Sequence, residues 1–208
     1  MKWTDWVILL LPVALTGGLG WFFNNKLEKQ KHLLQKKVQD YSLFNEKKHT
    51  SYAEVYKLIK MSEGYVFSLR GYNETLALTD FNAEDLKKYL KDFMPNAKID
   101  TVVSMWDNKN FREAEKIVRE YEKLRDLRRA ENSFYEAKNF WLLNELYFEK
   151  DINEILKEYF DALLDLFLYY KFPDKETKND EIITLQRTIK EKFELLRSSM
   201  RKDLSIEK

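Results

Sequence analysis

The sequence predicts an all-α protein. A single N-terminal transmembrane helix continues into a long stalk helix, and a bundle of about four to six helices follows. Three observations carry this reading: few backbone breakers, one long uncharged run at the N-terminus, and apolar residues that recur at helical spacing. The 208 residues contain five Gly and three Pro. Gly17, Gly18, Gly20 and Pro12 lie in the uncharged run, which leaves Gly64, Gly71, Pro95 and Pro173 as punctuation for everything after it. So few breakers favour long helices over sheets with many turns.

Lys and Arg number 36 against 35 Asp and Glu, so no global charge bias points to nucleic acid or to acidic substrates. Charged residues are 34% of the chain and aromatic residues 15%. That combination suits helices with solvated faces around an aromatic-rich core, and it is too aromatic for a disordered chain. Cysteine is absent, which removes disulfides, thiol nucleophiles, iron–sulfur clusters and Cys-ligated zinc.

The run from Trp6 to Phe23 contains no charged residue. At helical rise it spans about 27 Å, close to the hydrocarbon thickness of a bilayer. Trp3 and Trp6 stand at one end and Trp21, Phe22 and Phe23 at the other, as an aromatic belt at each interface requires. A cleaved signal peptide fits less well. Its basic region would hold only Lys2 beside Asp5, and bulky aromatics occupy the place where small residues would precede a cleavage site. Lys26, Lys29, Lys31, Lys36 and Lys37 follow the run closely, so the positive-inside rule puts the C-terminal part in the cytoplasm. The expected anchor is 1–25. Ala14/Gly18 and Thr16/Gly20 are small-residue pairs four apart, which leaves homo-oligomerisation open.

Residues 26–62 read as stalk and first bundle helix, with Leu27, Leu34 and Tyr41 seven apart and Gly64 as the expected C-cap. Lys31, Asn45 and Lys48 interrupt the heptads too often for a regular coiled coil. Residues 63–208 form the expected helical cytoplasmic domain. Its opening stretch, 63–83, loses helical periodicity, and Val66-Phe67 and Leu76-Ala77-Leu78 suit short extended pieces or a packed loop. Asn82, with Asp85 three residues on, reads as the N-cap of a short helix that runs to about Met94 and stops at Pro95. A short segment, Ile99 to Trp106, leads to Asp107 or Asn108 as a cap. A long helix from Asn110 to Lys150 follows, with a break expected near Asn132. Asp151 is the expected cap of the next helix, whose stripe is Ile155, Leu156, Tyr159, Phe160, Leu163, Leu164 and Phe167. Pro173 stops it, and a last helix runs from Asp180 to Lys202.

Little in this chain looks like chemistry. Glu46 and His49 have the spacing of a carboxylate–histidine metal pair, but the only other histidine, His32, is on the same helix, and a di-iron site needs ligands from facing helices. Glu154, Glu158, Asp161 and Asp165 share one helical face, as a docking surface for a protein partner or as a solvated face. A mixed run of Arg and Lys, from Arg112 to Arg129, alternates with five acids, so nucleic acid is not expected as a partner. Pairing of this run with the acidic helix is the simpler expectation. Arg70, Gly71 and Tyr72 lie in the longest non-helical stretch and make the candidate functional loop. No phosphate loop, nucleophile elbow or metal-ligand cluster is present, and no cofactor is expected. The sequence therefore favours a membrane-anchored interaction or scaffold protein, with the bilayer and an unidentified protein as partners. The alternative is a tethered enzyme or nucleotide binder that uses the 63–83 loop.

Overall fold

The computed structural model describes the backbone of residues 3–70, 78–173 and 179–205; the side chains of 3–20, 22 and 79 lie outside the described set. Every regular element in it is helical. Six α-helices run in order: α1 Trp3–Ser68, α2 Ala83–Leu90, α3 Asn96–Asp107, α4 Phe111–Leu143, α5 Lys150–Lys171 and α6 Asn179–Leu204. Two single 3₁₀ turns, Leu78–Asp80 and Glu145–Tyr147, lie before α2 and between α4 and α5. The all-α expectation holds. Residues 1–50 and 51–208 are two compact units.

No helix is long and apolar enough, among the described residues, to cross a membrane. The run expected to do so, Trp6 to Phe23, falls outside the described side chains except for Trp21 and Phe23, both exposed. Trp3, Trp6 and Phe22 have no described side chain. Within the first unit Leu27, Leu34, Val38 and Tyr41 are exposed, as are Lys26, Lys29, Lys31, Lys36 and Lys37.

In the second unit α1 contributes Tyr52, Val55, Ile59, Ser62 and Val66, all buried and alternately three and four residues apart. This stripe overturns two expectations. Gly64 does not cap the helix, and Val66-Phe67 is not extended, because Val66 is fully buried and Tyr65 and Phe67 pack against the same core. That packing outweighs the roughly 1 kcal/mol by which Gly disfavours a helix interior. A Cβ added at Gly64 meets no atom within 4 Å. Gly64→Ala therefore stabilises the fold by about 0.5–1 kcal/mol, read as a higher urea midpoint at unchanged slope.

Two hydrophobic clusters fill this unit. The larger joins α1, the C-terminal half of α4, α5 and α6, with Phe134, Trp141, Leu156, Tyr159, Phe160, Leu163 and Leu196 among its members. The smaller joins α2, α3 and the start of α4 through Leu86, Leu90, Ile99, Val102, Trp106, Ala114 and Val118. The α5 stripe is as expected at Leu156, Tyr159, Phe160, Leu163 and Phe167, with Ile155 and Leu164 partly buried. Each such fully buried side chain contributes roughly 1.5–3 kcal/mol through removal from water.

Cap positions are partly as expected. The Asn82 side chain accepts hydrogen bonds from the backbone N–H of Glu84 and Asp85. Helix α2 ends at Leu90, before Met94, and Pro95 stands at the N-cap of α3. Asn108 closes α3, and Asn110 precedes α4. Helix α4 runs unbroken through Asn132, because Ala130, Ser133 and Phe134 on either side are buried in the larger core. It stops at Leu143, short of Lys150. Glu149 rather than Asp151 precedes α5. The Asn153 amide spans this corner: it accepts from Trp141 Nε1 at 2.8 Å and donates to the carbonyls of Glu145 and Phe148.

Candidate functional site

Helix α4 belongs to both clusters, and it turns opposite faces to them. Ala114 and Val118 face the smaller core; Ala130, Phe134, Ala137 and Trp141 face the larger. At about 100° per residue the two sets lie roughly half a turn apart. The face that begins with Ala114 and Val118 continues through Tyr121, Arg125, Arg128, Asn132 and Glu136, three or four residues apart. It starts apolar and becomes polar. Along that polar stretch lies a cleft of about 930 Å³, walled by α4, by Met61 and Tyr65 of α1, and by Lys91 to Pro95 after α2.

Basic groups dominate the cleft: Lys91, Arg125, Arg128 and Arg129 line it, against Asp92 and Glu136. Two guanidiniums lie over aromatic rings, Arg125 4.8 Å from the Phe93 centroid and Arg129 5.3 Å from that of Tyr65. Arg125 also pairs with Asp126 at 3.0 Å. Burial works against its charge, but Asp126 and the Tyr89 hydroxyl outweigh this and hold its pKa above the usual arginine value. The side chains of Arg128 and Lys91 enter no ion pair or hydrogen bond among the described residues. Beside the cleft, buried Glu122 accepts hydrogen bonds from Tyr89 Oη and from Arg119 Nη1, the latter at 2.8 Å. Arg119 also reaches Glu115, four residues before it on the helix, at 3.1 Å.

The basic run and the acidic helix do not pair as expected. Arg119 and Arg125 are satisfied within α4. Glu158 of the acidic face instead takes Lys192 of α6, and Glu154 takes Lys150 of its own helix. The bridge seen between α4 and α5 has the reverse polarity, with Lys171 of α5 on Glu131 of α4 at 2.8 Å. Helix α5 packs chiefly against α6, so its acids meet the cations of α6.

Glu154, Glu158, Asp161 and Asp165 are all exposed. Asp165 joins Glu181 on the rim of a second groove, of about 810 Å³, whose floor is Leu168, Tyr169, Phe172 and Leu185 of α5 and α6. Phe172 is 62% exposed and Leu168 40%. Of the candidate loop, Arg70 is exposed and donates to Gln186 Oε1 at 3.4 Å. Gly71 and Tyr72 lie outside the described residues. Glu46, His49 and His32 are exposed, and no group of ligating side chains that could hold a metal ion occurs among the described residues.

The structure thus points to the cleft on α4, which sequence reading did not single out. Its signal is the α4 stripe, in which an apolar repeat turns into Tyr, Arg and Asn without losing its spacing. Comparison with known protein families, with curated proteins and with solved structures yields no match.

Proposed function

We propose that this chain is a membrane-tethered interaction protein that presents residues 51–208 to a protein partner at the cytoplasmic face of a bilayer. The supporting observation is the continuity of α1. One 66-residue helix contains both the uncharged run Trp6 to Phe23 and the buried stripe Tyr52 to Val66. Insertion of the run into lipid would tether the helical core to the bilayer, and Lys26 to Lys37 would lie at the anionic leaflet. The docking surface is the α5–α6 groove. Its exposed Phe172 and Leu168 offer apolar anchors, and Asp165 and Glu181 offer an acidic rim. That chemistry suits a partner helix with one apolar and one basic face.

Fractionation tests the tether. The full-length chain should pellet with membranes and resist salt extraction, and a chain that begins at Lys26 should be found in the supernatant. The absence of native cysteine makes orientation simple to read. Ser205→Cys should escape a membrane-impermeant maleimide in intact cells and react after lysis. Pelleting of the truncated chain, or labelling in intact cells, would overturn the topology. For the partner, proximity labelling from the C-terminus should give a discrete set of neighbours that is lost on Phe172→Asp, a change at an exposed position.

A further inference from the structure

We infer that the cleft along α4 binds a small organic phosphate of the nucleotide class. The site is separate from the α5–α6 groove, and the inference does not depend on that docking surface.

The argument begins with concavity. A volume of about 930 Å³ is in the range of small-ligand sites. The charge of the cleft is directed and largely uncommitted. Lys91 and Arg128 have no ion-pair partner among the described residues, and the Arg129 guanidinium lies over Tyr65, 5.3 Å from the ring centroid. A cation–ring contact uses none of the guanidinium N–H groups in an ion pair, and their planar fork matches two oxygens of a phosphate. A ring contact that restrains the side chain also reduces the rotamer entropy lost when an anion is bound.

Inorganic phosphate alone would leave the rest of the cleft unused. Met61 is 42% exposed and Leu124 49%, and both line it. Beside these apolar ends, the Tyr121 ring and the Arg128 guanidinium in the lining are planar groups that suit a flat apolar body joined to the anion. A nucleotide has both parts: a base to stack and phosphates for the arginine edges. A nucleic-acid strand fits less well, because the acids that alternate with the basic residues of α4 interrupt any continuous basic track.

Calorimetric titration of the protein reconstituted in zwitterionic-lipid nanodiscs tests this, with ATP, inorganic pyrophosphate, a poly-glutamate peptide and anionic-lipid vesicles as probes. ATP should bind with a Kd below about 1 mM. Arg128→Gln and Arg129→Gln should each weaken it about tenfold, with unchanged far-UV circular dichroism. Leu124→Asp should weaken ATP and leave pyrophosphate, already the poorer ligand, unaffected. The inference is overturned if ATP does not bind, if it binds both arginine variants as tightly as the unsubstituted protein, or if pyrophosphate binds as well as ATP. It is also overturned if the peptide binds more tightly, or if vesicles displace ATP at equal phosphate concentration, which would assign the cleft to a protein segment or a lipid headgroup.

Discussion

Replacement of Phe160 by alanine lowers the stability of the helical core by about 3–5 kcal/mol. The ring is fully buried. It stacks on Trp141 at 5.5 Å with 14° between the planes, and it meets Phe134 and Tyr159 edge-on at 5.8 and 5.7 Å. These partners come from α4 and from α5 itself, so truncation opens a void at the centre of the larger core. The lost terms are transfer of the ring, the aromatic contacts, and a cavity that rigid helices collapse only in part. A small domain has roughly 5–15 kcal/mol in total, so this one change removes a large fraction of it. Phe172→Ala is the control with identical chemistry. Its ring is 62% exposed at the end of α5, and the expected cost is under about 0.5 kcal/mol. Urea unfolding followed by circular dichroism measures both. Similar midpoints for the two variants would show that Phe160 does not hold the core.

That contrast also marks what the sequence could reveal. Phe160 was legible because α5 buries one face against one core, so Leu156, Tyr159, Phe160, Leu163 and Phe167 keep a single helical period. Asn82 was legible because capping is a local event: its side chain bonds to N–H groups two and three residues away. Helix α4 was harder to read. Its buried face changes sides between Val118 and Ala130, so no single stripe runs along it, and its charges read as a solvated surface. The cleft was hidden for the same reason. Its lining comes from three separated segments, and the pairs that shape it, Arg125 on Phe93 and Arg129 on Tyr65, join positions 32 and 64 residues apart. Nothing local predicts such pairs. Gly64 misled for the opposite reason: a strong local breaker was overruled by Val66 in the core.

Stability falls steeply above pH 10, and two buried tyrosines account for the excess over ordinary alkaline loss. Tyr52 is 2% exposed and donates its phenolic hydrogen to Asp203 of α6. Tyr159, fully buried, donates to Glu63 of α1 at 3.2 Å. Burial, and then the acceptor carboxylate, push both pKa values far above the ordinary value. In the unfolded chain both return to about 10. Below that pH each tyrosine is protonated in both states, and its contribution is complete. Above it the unfolded state loses protons that the folded state retains, so stability decreases as pH rises, by about 1.4 kcal/mol per tyrosine per pH unit. At pH 11 the two together lose about 2–3 kcal/mol. The double variant Tyr52→Phe/Tyr159→Phe cannot ionise at these positions. It should be less stable at neutral pH, where two hydrogen bonds to carboxylates have gone, each about 1.5 kcal/mol. It should also lose less on titration. Lysine ionisation shifts both proteins alike, so the difference between them isolates the tyrosines. Urea midpoints measured from pH 8 to 11.5 should converge near pH 11 to 12, with the wild type falling toward the variant. Parallel curves across that range would mean that the phenols ionise as readily in the fold as out of it, and the buried Tyr–carboxylate pairs would have to be abandoned.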